Sequence, residues 1–194
     1  MRVHKRKMGI LILFILLSCL LTSCYRSTVK EASEYDSFRE DMKEQYERLY
    51  EFLPELGDKS CIEDMYLYYW SGDLFDSYHT IYLNCVYSEE EYEKEEKRLK
   101  ELFADSSQIN SDSFEYESLG GGGYTSWTHV FHKYVLFEKE NLRIVYIDLF
   151  EDSLHGRSTK IPDEYLPKDL VEVRKTGSIP PDNWYEYEDA VENK

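Results

Sequence analysis

Apolar positions along this chain recur with two periods, and the switches between them outline a mixed α and β domain. Over residues 36–53, Phe38, Met42, Tyr46, Leu49, Tyr50 and Leu53 fall on one helical stripe. Ser37 with Glu40 offers a capping box at its start, and Pro54 and Gly57 stop it. Cys61–Trp70 then reads as an aromatic-rich strand, and SGDLFD (71–76) as a turn. Ser77–Tyr87 reads as a second strand, with Ile81, Leu83 and Cys85 on one face and Tyr78, Tyr82 and Val86 on the other.

Ser88 with Glu91 is a capping box that opens a second helix to about Ala104, whose buried side is Tyr92, Leu99, Leu102 and Phe103. A polar loop follows, then a candidate short strand at Phe114–Ser118 and a flexible turn at LGGGGY (119–124). Trp127–Phe137 and Leu142–Phe150 form a hairpin about Lys139-Glu140-Asn141, with Val145, Ile147 and Leu149 facing inward. The expected architecture is α+β, a two-layer sandwich. An antiparallel sheet of four to five strands carries two helices on one face, in the order α-β-β-α-(β)-β-β. Beyond Asp152 the pattern weakens and prolines punctuate it. Residues 176–194 read as an acidic, mobile tail.

The first 24 residues follow a different rule. Arg2, Lys5, Arg6 and Lys7 form a basic head, and an almost wholly apolar run from Met8 to Leu21 follows. This is the layout of a secretory signal. The run is too short for a comfortable permanent span, which needs about 20 residues. Its end, Leu21-Thr22-Ser23-Cys24, resembles a bacterial lipobox. That resemblance implies lipid transfer to Cys24 and cleavage before it. The chain then divides into a signal peptide (1–23), a lipidated tether (24–34), one α+β domain (35–175) and the tail.

Charge and cysteine usage narrow the partners. The leader holds four of the 23 basic residues and none of the 39 acidic ones, so the mature part carries a net charge of −20. That balance argues against nucleic acid, whose phosphates demand neutralising cations. It also argues against a basic patch on anionic lipid. All 18 tyrosines lie in the mature part, a composition suited to half-buried strands and to binding surfaces. Discounting Cys19 and the acylated Cys24 leaves Cys61 and Cys85. Outside the cytoplasm two cysteines can pair. A hairpin about the 71–76 turn sets them across from each other on one face. A disulfide there would close ~25 residues and stabilise by roughly 3–4 kcal/mol; two buried thiols are the alternative. The same register gathers Tyr66, Tyr68, Trp70, Tyr78 and Tyr82 on the opposite face. That face is either covered by the C-terminal segment (Ile161, Tyr165, Leu166, Leu170) or open as a platform for a sugar or peptide.

No catalytic motif emerges. His129 and His132, three apart in a strand, point to opposite faces and cannot share a metal, and His79 and His155 are isolated. The four glycines 120–123 lack the lysine and helix of a phosphate loop. There is neither a GxSxG nor a CxxC. No cofactor and no metal is expected.

The segments LFDSYHTIYLNCVYSEEEYEKEEKRL (74–99), RIVYIDLF (143–150) and EYLPKDL (164–170) resemble uncharacterised small lipoproteins of Gram-positive bacteria. The resemblance implies a membrane-tethered accessory protein and no particular activity. The sequence thus leads us to expect a non-enzymatic, lipid-anchored module on the extracytoplasmic face of a membrane, held by acyl chains on Cys24. Its partner would be a protein or an envelope glycan. An immunity or inhibitor lipoprotein and an envelope-polymer enzyme are the alternatives.

Overall fold

The structure, a computed structural model, describes residues 25–72, 77–104, 114, 116–124, 130–151 and 160–176. The elements run β1 (Tyr25–Val29), α1 (Tyr35–Gln45), α2 (Glu47–Phe52), β2 (Ile62–Ser71), β3 (Ser77–Val86), α3 (Glu89–Leu102), β4 (Glu117–Tyr124), β5 (Val130–Glu138), β6 (Arg143–Glu151) and α4 (Lys168–Thr176). The six strands form one open antiparallel sheet in the order β1-β2-β3-β6-β5-β4. The α+β class stands, but the sheet is larger than expected and both of its faces are covered.

Two of the six strands come wholly or mostly from segments read otherwise. Residues 25–29, assigned to a polar tether, pair along β2 from Tyr25↔Ser71 to Val29↔Leu67. A five-residue edge strand with one solvated face carries too little alternation to announce itself. LGGGGY is no turn but most of β4, paired along β5 from Glu117↔Phe137 to Tyr124↔Val130. Backbone hydrogen bonds and the packing of Leu119 against the core hold it there, since its four glycines contribute no side chain to a hydrophobic pattern.

Packing on the first face follows the predicted stripes. Phe38, Met42, Leu49 and Leu53 are buried against Leu67, Ile81, Leu83, Val135 and Ile144, together with Tyr92, Leu99 and Phe103 of the α3 segment. Leu102, expected on the buried side of that helix, is exposed at 38%. The helix read as continuous over 36–53 breaks at Tyr46, which leaves helical geometry at φ −157°, ψ 84°. The break is chemically satisfied. Tyr69 Oη donates to the freed Gln45 carbonyl at 3.3 Å, and Arg98 donates to the last carbonyls of α2, Glu51 at 2.6 Å and Phe52 at 3.1 Å. The predicted Ser37 cap is not used: α1 begins earlier, after a 3₁₀ turn at Ala32–Glu34, with no side-chain cap. The Ser88–Glu91 box at α3 forms as expected.

The second face carries Tyr82, Tyr134, Leu136, Val145, Ile147 and Leu149. Ile161, Tyr165 and Leu166, followed by Leu170 and Val173 of α4, close over it. Of the two readings of the aromatic face, the covered one holds at its centre. β3, buried on both sides, carries its apolar and aromatic residues on both faces and buries His79, Thr80 and Asn84 among them. The predicted leader, the 73–76 part of the turn, Trp127 and His129, His155 and the tail beyond Thr176 lie outside the described residues.

Candidate functional site

Two polar constellations interrupt the core, one at each end of the sheet. The first surrounds the cysteines. Cys61 ends a 3₁₀ turn (Lys59–Cys61) capped by the Asp58 side chain. A register shift between Ile62 and Asp64 then sets Ile62, not Cys61, opposite Cys85. Both cysteines are free thiols, Cys61 half-buried and Cys85 fully buried. Their side chains are nevertheless hydrogen-bonded to each other. That bond lowers the Cys61 pKa; it raises that of Cys85, and burial adds to the rise.

From Cys85 the polar contacts continue inward. Tyr87 Oη meets Tyr146 Oη at 2.7 Å, and Tyr146 Oη donates to Glu95 at 2.9 Å. Glu95 accepts from Arg98 at 2.5 and 2.8 Å. Burial pushes both tyrosines well above their ordinary range. A cleft of about 810 Å³ opens over this end, lined among others by Cys61, Glu55, Asp58, Glu63, Glu91 and Lys94. Hydrogen bonds from Ser60 and Ser88 keep the Asp58 and Glu91 carboxyls below their usual range, so the rim stays anionic.

The second constellation was not foreseen. His79, read as isolated, meets Asp148 at 2.7 Å across β3 and β6, and Lys133 on β5 lies 3.4 Å from the other carboxylate oxygen. Burial would raise the Asp148 pKa, but the His79 and Lys133 charges and hydrogen bonds bring it below the ordinary carboxylate value. Lys133 also donates to the Arg48 carbonyl at 3.2 Å and stands 4.8 Å over the Phe52 ring. At the break in the helix stripe the Tyr46 ring lies 5.5 Å from the His79 ring and 6.2 Å from that of Tyr69. His79 and Asp148 side chains are each 6% exposed, so this group ties strands together rather than reaching a substrate. Three residues from three strands leave no spacing signal in a sequence.

The five aromatic residues proposed as a binding face do share one side, through Tyr66↔Tyr82, Tyr68↔Thr80 and Trp70↔Tyr78. They do not form an open platform. Tyr82 and Tyr68 are buried, Tyr82 under Tyr165 at 6.0 Å between ring centres. Tyr66, Trp70 and Tyr78 remain half-buried. His132 lies on this side too; its ring is buried and its pKa is driven down to about 4. Among the described residues no group of His, Cys, Asp and Glu could hold a metal ion, and no helix is long and apolar enough to cross a membrane. No family model matches the chain, and neither a curated protein nor a solved structure matches it.

Proposed function

We propose that the chain is a lipid-anchored, non-enzymatic module on the extracytoplasmic face of a membrane, acting by holding a binding domain at that surface. The observation that carries the reading is the order of residues 1–24: basic head, apolar run, small residue, cysteine. Anchoring raises the effective concentration of the domain beside envelope partners without any new contact. In an oxidising compartment neighbouring Cys61 and Cys85 would lose two protons and two electrons to a thiol oxidant and close a disulfide.

Labelling with radioactive palmitate tests the anchor. The parent incorporates label and Cys24→Ala does not; equal incorporation overturns the reading. Alkylation of the denatured, unreduced protein tests the pair: neither Cys61 nor Cys85 is modified until reductant is added.

A second reading, an inhibitor or immunity protein for a cationic partner, draws on the carboxylates around the cleft. It predicts binding that weakens steeply with salt and is lost in Glu55→Gln/Glu63→Gln/Glu91→Gln.

A further inference from the structure

The two ends of the sheet differ in kind. β1 begins, β2 ends, β3 begins, β4 ends, β5 begins and β6 ends at one and the same end, as the pairs Tyr25↔Ser71, Ser71↔Ser77, His79↔Phe150, Val130↔Glu151 and Tyr124↔Val130 require. At that end the two terminal residues of every strand include one aromatic: Tyr25, Trp70, Tyr78, Tyr124, Phe131 and Phe150. The opposite end has Phe137 within the strands and Tyr87 and Tyr116 one residue beyond them, set among Glu63, Glu117, Glu138 and Arg143. Trp70, Tyr78 and Phe150 stack into a ladder, with ring centres 5.4 and 5.9 Å apart and planes within 13° and 16°. These three, with Tyr25 and Phe131, are half-buried, whereas Tyr82, Tyr134 and Tyr146 further along the strands are buried. Cys24 is peptide-bonded to Tyr25, so its Cα lies ~3.8 Å from the start of β1.

We propose that this aromatic end of the sheet docks on the polar–apolar interface of the bilayer, so that the domain stands on the membrane with its strands rising from it. The inference rests on the reading that residues 1–24 bring the chain to a membrane. With β1 where a tether was expected, nothing separates the anchor from the sheet. Aromatic rings with one apolar side and one polar handle favour that interface. The anchor supplies the proximity, so the ring contacts need little affinity of their own. The charge of the far end does not oppose the contact, although the sequence places Asp73, Asp76 and Asp152 in connections that leave the near end. The carboxylates of the far end lie about 30 Å away along a ten-residue strand, well beyond the screening length of about 8 Å. The near end is not free of acids: Asp41 accepts from Tyr25 Oη at 2.7 Å and β6 closes on Glu151. Arg26, 5.6 Å over Tyr68, supplies a cation on the other face of the same strand end. A zwitterionic surface suits that mixture. In this pose the cleft beside Cys61 faces away from the membrane.

The test uses full-length protein, purified with its anchor and reconstituted into phosphatidylcholine vesicles with brominated acyl chains. In Trp127→Phe/Trp184→Phe the remaining Trp70 should lose emission and shift to the blue. A lone tryptophan at the far end (Val86→Trp with Trp70, Trp127 and Trp184 all changed to Phe) should do neither. A floated protein whose Trp70 is quenched no more than the far-end tryptophan overturns docking and leaves the anchor standing. If Cys24→Ala loses its leader and floats as well as the parent, acylation is overturned, and Trp70 quenching on the floated protein still decides docking. Protein that never floats overturns both. Neutron reflectometry on the unaltered protein guards against a misfolded variant: a water layer resolved between headgroups and domain overturns the pose.

Discussion

Single residues in this fold carry ionisation states that the chain alone does not announce. His132 titrates near 4 because burial disfavours its cation, against about 6.5 for a free imidazole. The folded protein therefore binds fewer protons than the unfolded chain between those values. Stability is complete above about pH 6.5 and falls by about 3 kcal/mol as the pH drops through the window to 4. Urea denaturation at pH 7 and pH 4.5 should show this loss in the parent and much less of it in His132→Leu. Equal losses would rule the imidazole out as its source. Asp148, depressed by His79 and Lys133, releases its share only at lower pH. Asp148→Asn strands His79 and Lys133 without their anion and should cost about 3 kcal/mol. Replacing the pair by apolar groups, His79→Phe/Asp148→Leu, should recover part of that loss in the same assay. Neither group was legible beforehand: His79 reads as isolated because its partner is 69 positions away.

Among the elements, those with a side-chain pattern were readable and those without one were not. The capping box of α3 and the β2–β3 and β5–β6 hairpins follow from local spacing. β4 does not, since its glycines are required by neighbours distant in sequence. Gly120 adopts φ +119°, and a Cβ there would lie 2.2 Å from the Lys133 carbonyl oxygen. At Gly122 a Cβ would fall 2.2 Å from the His132 ring. Gly120→Ala should therefore destabilise by about 2 kcal/mol or more. Gly57→Ala, which meets nothing within 4 Å, should stay within about 0.5 kcal/mol. Thermal melts of the two variants make the comparison, and similar shifts would contradict the assigned role of β4. The break at Tyr46 belongs with β4: the apolar stripe runs on unbroken, while the rings that Tyr46 meets, His79 and Tyr69, lie on strands distant in sequence.

The whole molecule is a sheet sealed on both sides, and its second seal comes from a segment with little pattern of its own. Leu170 is 1% exposed and packs over the Tyr82 and Tyr134 face. Leu170→Ala should cost about 3 kcal/mol, and chemical denaturation should show one cooperative transition in parent and variant alike. A separate early transition would mean that α4 is an appendage. At the same scale the aromatic and acidic ends give the domain a direction. That polarity is invisible along the chain, where Tyr25 and Phe150 are separated by the entire domain.

By itself the sequence determined the α+β class, the two hairpins, the α3 cap and the acidic balance, because each depends on composition or on neighbours within a few positions. Tertiary structure alone decided that 25–29 and 117–124 are strands and that Cys85 faces Ile62. It alone buried Tyr82 and joined His79, Lys133 and Asp148. These outcomes arise where separate strands share backbone hydrogen bonds or a dry interior, and such contacts set no period in the chain that makes them.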